Sequence, residues 1–530
     1  MEDFQSQQPL ETTEASIQQP EIMNISETPS LPTWRLILMV ISLCIGLFLS
    51  LIDTSIVATA LYDIGVSFSS PHTVTWVALS YTLSYLSFAV PFANLSDVIG
   101  RRAAWLLAFT IFFAFSLACG FARTLVQLIG FRAVQGVGGS GLYSLTMIVM
   151  PEIVAEDKRK WIGAIFGVVV AVAGVMGPVV GGVITKFATW RWVFWINGPI
   201  AAVSVALFLL TWPTRDMVKQ PARIPWKCLD FPGSFLLVAA SVLVVFAFQE
   251  AGLRPHSWDK ALFLAPLLVG CFCWCVLFAW EVFASKRSIS VILPPRLLKR
   301  RVYISTVMIT MLTGFVNFTA IYALPLHFQI VTGTSSLIAG VALLPLLVSA
   351  AIGSMLGGFA SKTRSFPALA IANGMMAIGA GLLSTLTQHY GIQTKTYGFE
   401  VPLGLGLGLS ISTSTLLAAT QCEAADIAVA QGVVAQARVL GGSLGIAASS
   451  AILGSMRAKE ATRLDEVVDE RLVYTKGFSK TMWVCAVVSC IAVMLSTGTY
   501  QRETGRASRS SVSAEQVIIQ DQVVAMPKEV

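Results

Sequence analysis

The sequence predicts an all-α integral membrane protein of about fourteen transmembrane helices, and three observations predict it. Of its 530 residues, 55% are hydrophobic and only 12% charged, with a mean hydropathy of +0.73. A soluble chain of this length carries roughly twice that charged fraction. The apolar residues come in blocks of about 20 divided by short polar loops, the length a helix needs to cross hydrocarbon. Two arginines sit inside such blocks: Arg132 in LVQLIGFRAVQGVGGSGLYSL and Arg438 in AVAQGVVAQARVLGGSLGIAAS. A charge at that depth costs a few kcal/mol, so each must face a bundle interior, a water-filled cavity or a counter-ion. A membrane barrel would show alternating segments of about 10 residues, and those are absent.

Hydropathy places the spans at 36–59, 74–95, 103–121, 124–149, 161–184, 192–212, 231–250, 261–283, 303–330, 337–360, 367–387, 401–421, 428–454 and 481–499. Residues 1–33 contain no Lys or Arg and are rich in Ser, Thr, Gln and Pro. They read as a disordered cytosolic tail, not as a signal peptide, and 501–530 read the same way. Residues 34–212 then form an N-terminal six-helix half, 213–302 cytosolic loops and two linker helices, and 303–500 a C-terminal six-helix half. An even number of spans puts both tails on one side. The loops on that side include GRR (100–102), EDKRK (156–160), RIPWK (223–227) and PPRLLKRR (294–301). That side carries about 22 Lys and Arg against about 12 opposite, and half of the 12 fall in one long loop, 456–480, which weighs less in the rule. Both termini are expected in the cytosol. The basic excess thus follows loop topology and does not imply nucleic acid.

Taken in order, the spans carry these features. Asp53, in SLIDTSIVA of the first span, reads as the only acid well inside a membrane segment. It lies about five residues, roughly 8 Å, from the outer end of that span. Arg132 lies about eight residues, roughly 12 Å, into the fourth span from the same side. At comparable depth the two are expected to pair, Arg132 tuning the proton affinity of Asp53; the plainer reading is a static ion pair holding two helices together. After the second span, Asp97, Gly100, Arg101 and Arg102 form an Asp-x-x-Gly-Arg-Arg turn, with Gly100 allowing the turn and Asp97 within reach of the arginines. The fifth span carries Gly174, Gly177, Pro178, Gly181 and Gly182, whose offsets of 3, 4, 7 and 8 place them on one face where a neighbouring backbone can approach. Pro178 favours a kink there. Tyr81, Tyr85, Gln135, Asn317, Gln329, Asn373 and Arg438 are the polar candidates for a substrate cavity, although interhelical hydrogen bonding is the alternative for about half of them. For Arg438 the candidate partners are Gln431, Gln436 and Asp426. Cys271, Cys273 and Cys275, at i, i+2 and i+4, do not share a helix face, and no metal site is expected.

The chain also looks repeated. ANLSDVIGRRA follows the second span and GGFASKTRSFP the tenth; GVMGPVVGG lies in the fifth and RVLGGSLG in the thirteenth. Eight spans separate each pair, which leaves the seventh and eighth as an insertion.

Residues 93–102 resemble the signature G-x-L-a-D-r-x-G-R-R of the major facilitator superfamily, with Ala93 in place of the Gly and Val98 in place of the first basic residue. In that family the loop latches the cytosolic side, which assigns the latch to Asp97 and Arg101. The fifth-span pattern resembles the G-x-x-G-P-x-x-G-G signature of the family's antiporters. LIDTSIV (51–57), WRWVF (190–194) with Asn197 and Pro199, and LPLHFQ (324–329) with Gly333 resemble motifs of its fourteen-helix drug:proton antiporters, His327 replacing the usual Tyr. RAVQGVGG (132–139) resembles the motif associated there with proton coupling. The resemblance runs from residue 51 to about 446. It implies the major facilitator fold, two six-helix halves plus two inserted helices, and a relation to fungal toxin and multidrug efflux pumps.

The expected function is therefore proton-coupled efflux of small amphipathic organic molecules by alternating access around a midplane site. The expected partners are a small-molecule substrate, protons and the bilayer, with the chain a monomer. No cofactor is expected beyond the proton gradient, and no G-x-x-x-x-G-K-[ST] loop provides for ATP. The plasma membrane is the expected location, with the vacuolar membrane as alternative. An importer of a basic amino acid would want several cavity acids. A non-transporting nutrient sensor would want long cytosolic extensions. An enzyme would need a nucleophile–base pair or metal cluster, and none is apparent.

Overall fold

The computed structural model describes residues 32–70, 73–154, 162–212, 230–253, 259–287, 295–360, 365–422, 427–461 and 469–500. Among these there are no strands, and 14 helices are long and apolar enough to cross a membrane. They are α1 (Thr33–Ser67), α2 (Thr75–Ile99), α3 (Arg101–Gly120), α4 (Leu125–Ile153), α5 (Ile162–Phe187), α6 (Trp192–Thr211), α7 (Phe231–Leu253) and α8 (Ala261–Ser285). After a one-turn helix at Pro295–Leu298 come α9 (Arg301–Ile330), α10 (Ser336–Gly358), α11 (Ser365–Leu383), α12 (Thr394–Thr420), α13 (Ile427–Ala461) and α14 (Glu470–Ser496).

Several helices outrun their apolar cores, because polar side chains stabilise the overhang. α1 continues past residue 59 to Ser67, with Asp63 in the extension accepting a hydrogen bond from Ser336 at 2.6 Å. The long loop expected at 456–480 is mostly helical: α13 runs to Ala461 and α14 begins at Glu470. Arg457 pairs with Glu470, and Lys476 with Glu460 at 3.2 Å, so the charges that depress hydropathy here tie the two helix ends together. Asp469 caps α14 by accepting from the Arg471 amide at 2.9 Å. α2 and α3 are separated by a single residue, Gly100, whose φ of 94° lies where a side chain would be strained.

Each half is organised around a glycine-rich helix that lets two neighbours approach it. In the first half, a Cβ on Gly136 or Gly139 of α4 would run into Tyr81 of α2, and one on Gly138 would meet the Phe112 Cα of α3 at 2.8 Å. In the second half, Gly404 and Gly408 of α12 lie against Leu346 and Ala350 of α10, while Gly406 and Gly379 close the α11–α12 contact. α4 and α12 are eight helices apart, the same offset as the sequence repeats. The inserted pair α7–α8 packs on itself, and α7 touches both α2 and α13.

The halves meet on the side of the bundle away from the termini, here termed the far side. Tyr322 of α9 donates to the Thr54 carbonyl, and Gln329 donates to the Thr59 carbonyl at 3.2 Å. Ser443 of α13 hydrogen-bonds Thr82 of α2 at 3.3 Å. Gly182 of α5 lies against Ser336 and Leu337 of α10, and Gly340 against Pro178. One apolar cluster runs across this seam, joining Ile52, Ile56 and Leu61 to Tyr322 and Ile446.

Gly138→Ala is expected to destabilise the fold by about 1–3 kcal/mol, because the methyl has only backbone to displace. Gly130→Ala, whose added methyl meets nothing within 4 Å, should change stability by no more than about 1 kcal/mol. Thermal unfolding midpoints of the purified variants in detergent check the contrast.

Candidate functional site

The ionisable centre lies between α1, α2, α4 and α6. Asp53 and Arg132 are both fully buried and form an ion pair through Asp53 Oδ2 and Arg132 Nη1. The other carboxylate oxygen, Oδ1, accepts from Gln135 Nε2 and from Asn197 Nδ2, each at 3.1 Å. Arg132 also donates from Nη1 to Gln135 Oε1 at 2.9 Å and from Nε to the Val77 carbonyl at 3.2 Å. Its guanidinium sits 4.1 Å from the Tyr81 ring centre, a favourable place for a desolvated cation. Tyr81 is itself held by donating to the Ser50 carbonyl at 2.9 Å, and Asn197 donates a second time to Ser116 at 2.9 Å. The carboxylate is well satisfied, but Arg132 Nη2 is buried without a hydrogen-bond partner.

Asp53 lies deeper along its helix than the roughly 8 Å expected from the sequence. Because α1 ends at Ser67, Asp53 is about fourteen residues, roughly 21 Å, from that end, against roughly 10 Å for Arg132 from the start of α4. The pair forms because α1 projects beyond α4. Asp53 is also not alone among acids inside spans. Glu400 is fully buried in α12, directed at the Leu346 backbone. The hydropathy span begins only at residue 401, whereas the helix starts at Thr394 and so includes this acid.

At the opposite end, Arg101 pairs with Asp97 at 2.5 Å and with Glu152 of α4 at 3.0 Å, and also contacts Ser96. Arg102 is exposed. The cluster lies within the N-terminal half, so Arg101 bolts α4 to the α2–α3 turn. Of the α5 motif, Gly177 and Gly181 pack on Ser55, Ile56 and Thr59 of α1, while Gly182 and Pro178 face α10. Gly174 faces open space and belongs to no close contact, a departure from the single packed face expected.

The cavity candidates separate into groups. Tyr81 and Gln135 belong to the Asp53 cluster, not to a cavity wall. Asn373, fully buried, donates to the Leu369 carbonyl at 2.8 Å and accepts from Ser410 at 3.5 Å, an α11–α12 brace. Gln329 belongs to the seam between the halves. Tyr85 lies between Tyr81, on which it stacks, and Tyr143, to which it is tilted, with ring centres 5.8 Å away in each case, and its buried hydroxyl has no partner. Asn317 is half-buried in α9. Arg438 donates to the Thr415 hydroxyl at 3.0 Å, while Gln431 takes the Thr415 carbonyl at 2.7 Å. Gln436 Nε2 is unpaired, and Asp426 lies outside the described residues. Asn197, Glu152 and Tyr322 were not singled out as site residues from sequence. Asn197 had a signal, its fixed place after the Trp-Arg-Trp stretch; Glu152 had a weaker one, an acid closing a span.

Arg132→Leu leaves a buried carboxylate without its cation and is expected to destabilise the protein by about 3–5 kcal/mol. The double variant Asp53→Asn/Arg132→Leu should recover part of that loss, and a double-mutant cycle on thermal unfolding measures how much.

A family model described as Major Facilitator Superfamily matches residues 43–446. The MFS-type transporter FPY5 of Fusarium mangiferae is 35% identical over 443 residues, covering 81% of this chain and 74% of that protein. The efflux pump aunC of Aspergillus niger is 30% identical over 482 residues, covering 89% and 83%. Among solved structures, a bacterial homologue of the human lysosomal transporter Spinster, in an inward-facing and unoccupied conformation, aligns with a TM-score of 0.62 at 19% identity. That alignment covers 88% of this chain and 98% of that one, and shows the shared fold. The fourteen spans, the paired halves and the family match together show that the chain belongs to the major facilitator superfamily.

Proposed function

We propose that the protein exports small amphipathic organic molecules, of the kind represented by secondary metabolites, toxins and drugs, in exchange for protons. The observation that carries the reading is the buried Asp53–Arg132 pair with Gln135 and Asn197 around it. A carboxylate in this setting takes up or releases a proton when its distance from the guanidinium changes, which ties protonation to the packing of α1 against α4. The efflux pump name carried by aunC supports export as the direction.

In this reading the termini lie in the cytosol, as the loop arginines and lysines favour, and the protein sits in the plasma membrane. The far-side seam then makes the described conformation closed to the exterior. Alternating access moves a midplane site between the halves from one face to the other. The gradient supplies the energy, the chain works as a monomer, and no covalent chemistry on the cargo is involved. Import of a cationic solute fits less well, because the Asp53 carboxylate is already engaged by Arg132, Gln135 and Asn197.

Comparing intracellular and extracellular metabolites by mass spectrometry, in cells with and without the protein, tests the proposal. Loss of the protein should raise the intracellular level of its cargo several-fold. A protonophore or Asp53→Asn should reproduce that rise. Full export in Asp53→Asn, or export indifferent to the protonophore, overturns proton coupling; unchanged levels of every compound overturn export.

A further inference from the structure

Tyr322 occupies a distinctive place. It belongs to α9 in the C-terminal half, is 4% exposed, and donates its hydroxyl to the carbonyl of Thr54, the residue next to Asp53. It is within electrostatic reach of both Asp53 and Arg132. The other bonds between α1 and the C-terminal half lie further out, at Thr59 and Asp63, roughly 8 and 14 Å along the helix from Thr54. Gln329 follows Tyr322 by two turns of α9, so the two form successive ties between helices that run in the same direction. The innermost tie thus abuts the proton site.

Two unmet capacities lie in this region. Arg132 Nη2 is a buried donor with no partner, and a tyrosine oxygen that donates one hydrogen bond can still accept another. While Asp53 is ionised it holds Arg132 within the N-terminal half. Once Asp53 is neutral, the guanidinium keeps its bonds to Gln135 and the Val77 carbonyl but loses its counter-charge in a medium of low dielectric, and the Tyr322 oxygen is an acceptor within its electrostatic reach from the opposite half. We infer that Tyr322 is the positioning residue through which protonation of Asp53 tightens closure of the far side. The inference rests on Asp53 being the proton carrier.

The ionisable groups around Asp53 are Arg132 from α4, Tyr81 from α2, Cys119 from α3 and Tyr322 from α9. α6 and α10 contain no ionisable residue, and α5 has only Lys186, exposed near its end. Tyr322 is therefore the contribution of the C-terminal half to this cluster.

Hydrogen–deuterium exchange of the full-length protein in lipid nanodiscs tests the idea, with rates at pH 5.5 and pH 8 corrected for intrinsic exchange. The peptides read are those over residues 60–70 and 330–340. In the unsubstituted protein these segments should be better protected at the lower pH, by several-fold. Asp53→Asn, which fixes a neutral side chain, should show the protected level at both values. Tyr322→Phe should abolish the pH-dependent difference although Asp53 is intact, and Asp53→Asn/Tyr322→Phe should lose the added protection. If Tyr322→Phe lowers protection equally at both pH values and keeps the difference, the residue is merely structural and the inference fails. If Asp53→Asn itself keeps the difference, or the unsubstituted protein shows none, the proton-carrier reading fails with it.

Discussion

A carboxylate and a guanidinium placed against each other where water does not reach set the terms for the rest of this molecule. Neither Asp53 nor Arg132 can be ionised alone at that depth without a penalty of several kcal/mol, so each specifies the position of the other. The requirement extends outward. Gln135 must be one turn along α4 to serve both members, Asn197 must be brought by α6, and Tyr81 must lie under the cation. Four helices are thereby fixed about one point by chemistry, where lipid would offer apolar side chains no reason to prefer each other over acyl chains.

Close backbone approach is the second constraint, and it makes the first possible. α4 can carry Arg132 into the bundle only because its glycines let α2 and α3 press in from two directions. α12 repeats this arrangement in the other half with a different centre. There the buried acid is Glu400, facing the backbone of α10 without an arginine partner. The two halves share a scaffold, and the charge chemistry is unequal between them.

Much of this was legible in the residue order, and what escaped did so for identifiable reasons. The fourteen spans follow from hydropathy, because a bilayer enforces continuous apolar helices. Arg132 and Asp53 stand out because ionisable residues are rare at depth. The hydropathy spans stop short of the ends of α1, α13 and α14 because Asp63, Arg457 and Lys476 lower local hydropathy, and their partners become visible only after folding. Asn197 and Tyr322 meet Asp53 or its neighbour from 144 and 268 positions away. Polar residues in spans are ambiguous from sequence, since a cavity wall and a brace such as Asn373 need the same side chain. Gly174 shows the converse limit: periodicity gives a face, not what lies opposite it.

The inserted hairpin is held to the two halves by different means. α7 is attached to the first half by a directional bond, Gln249 donating to Thr75 at 2.9 Å, as well as by packing. Against the second half it offers apolar surface, with Leu237 beside Val433. Dispersion contacts tolerate sliding, whereas a hydrogen bond resists it. The insertion therefore joins the two halves unequally, by a directional bond on the α2 side and by a broader contact along α13.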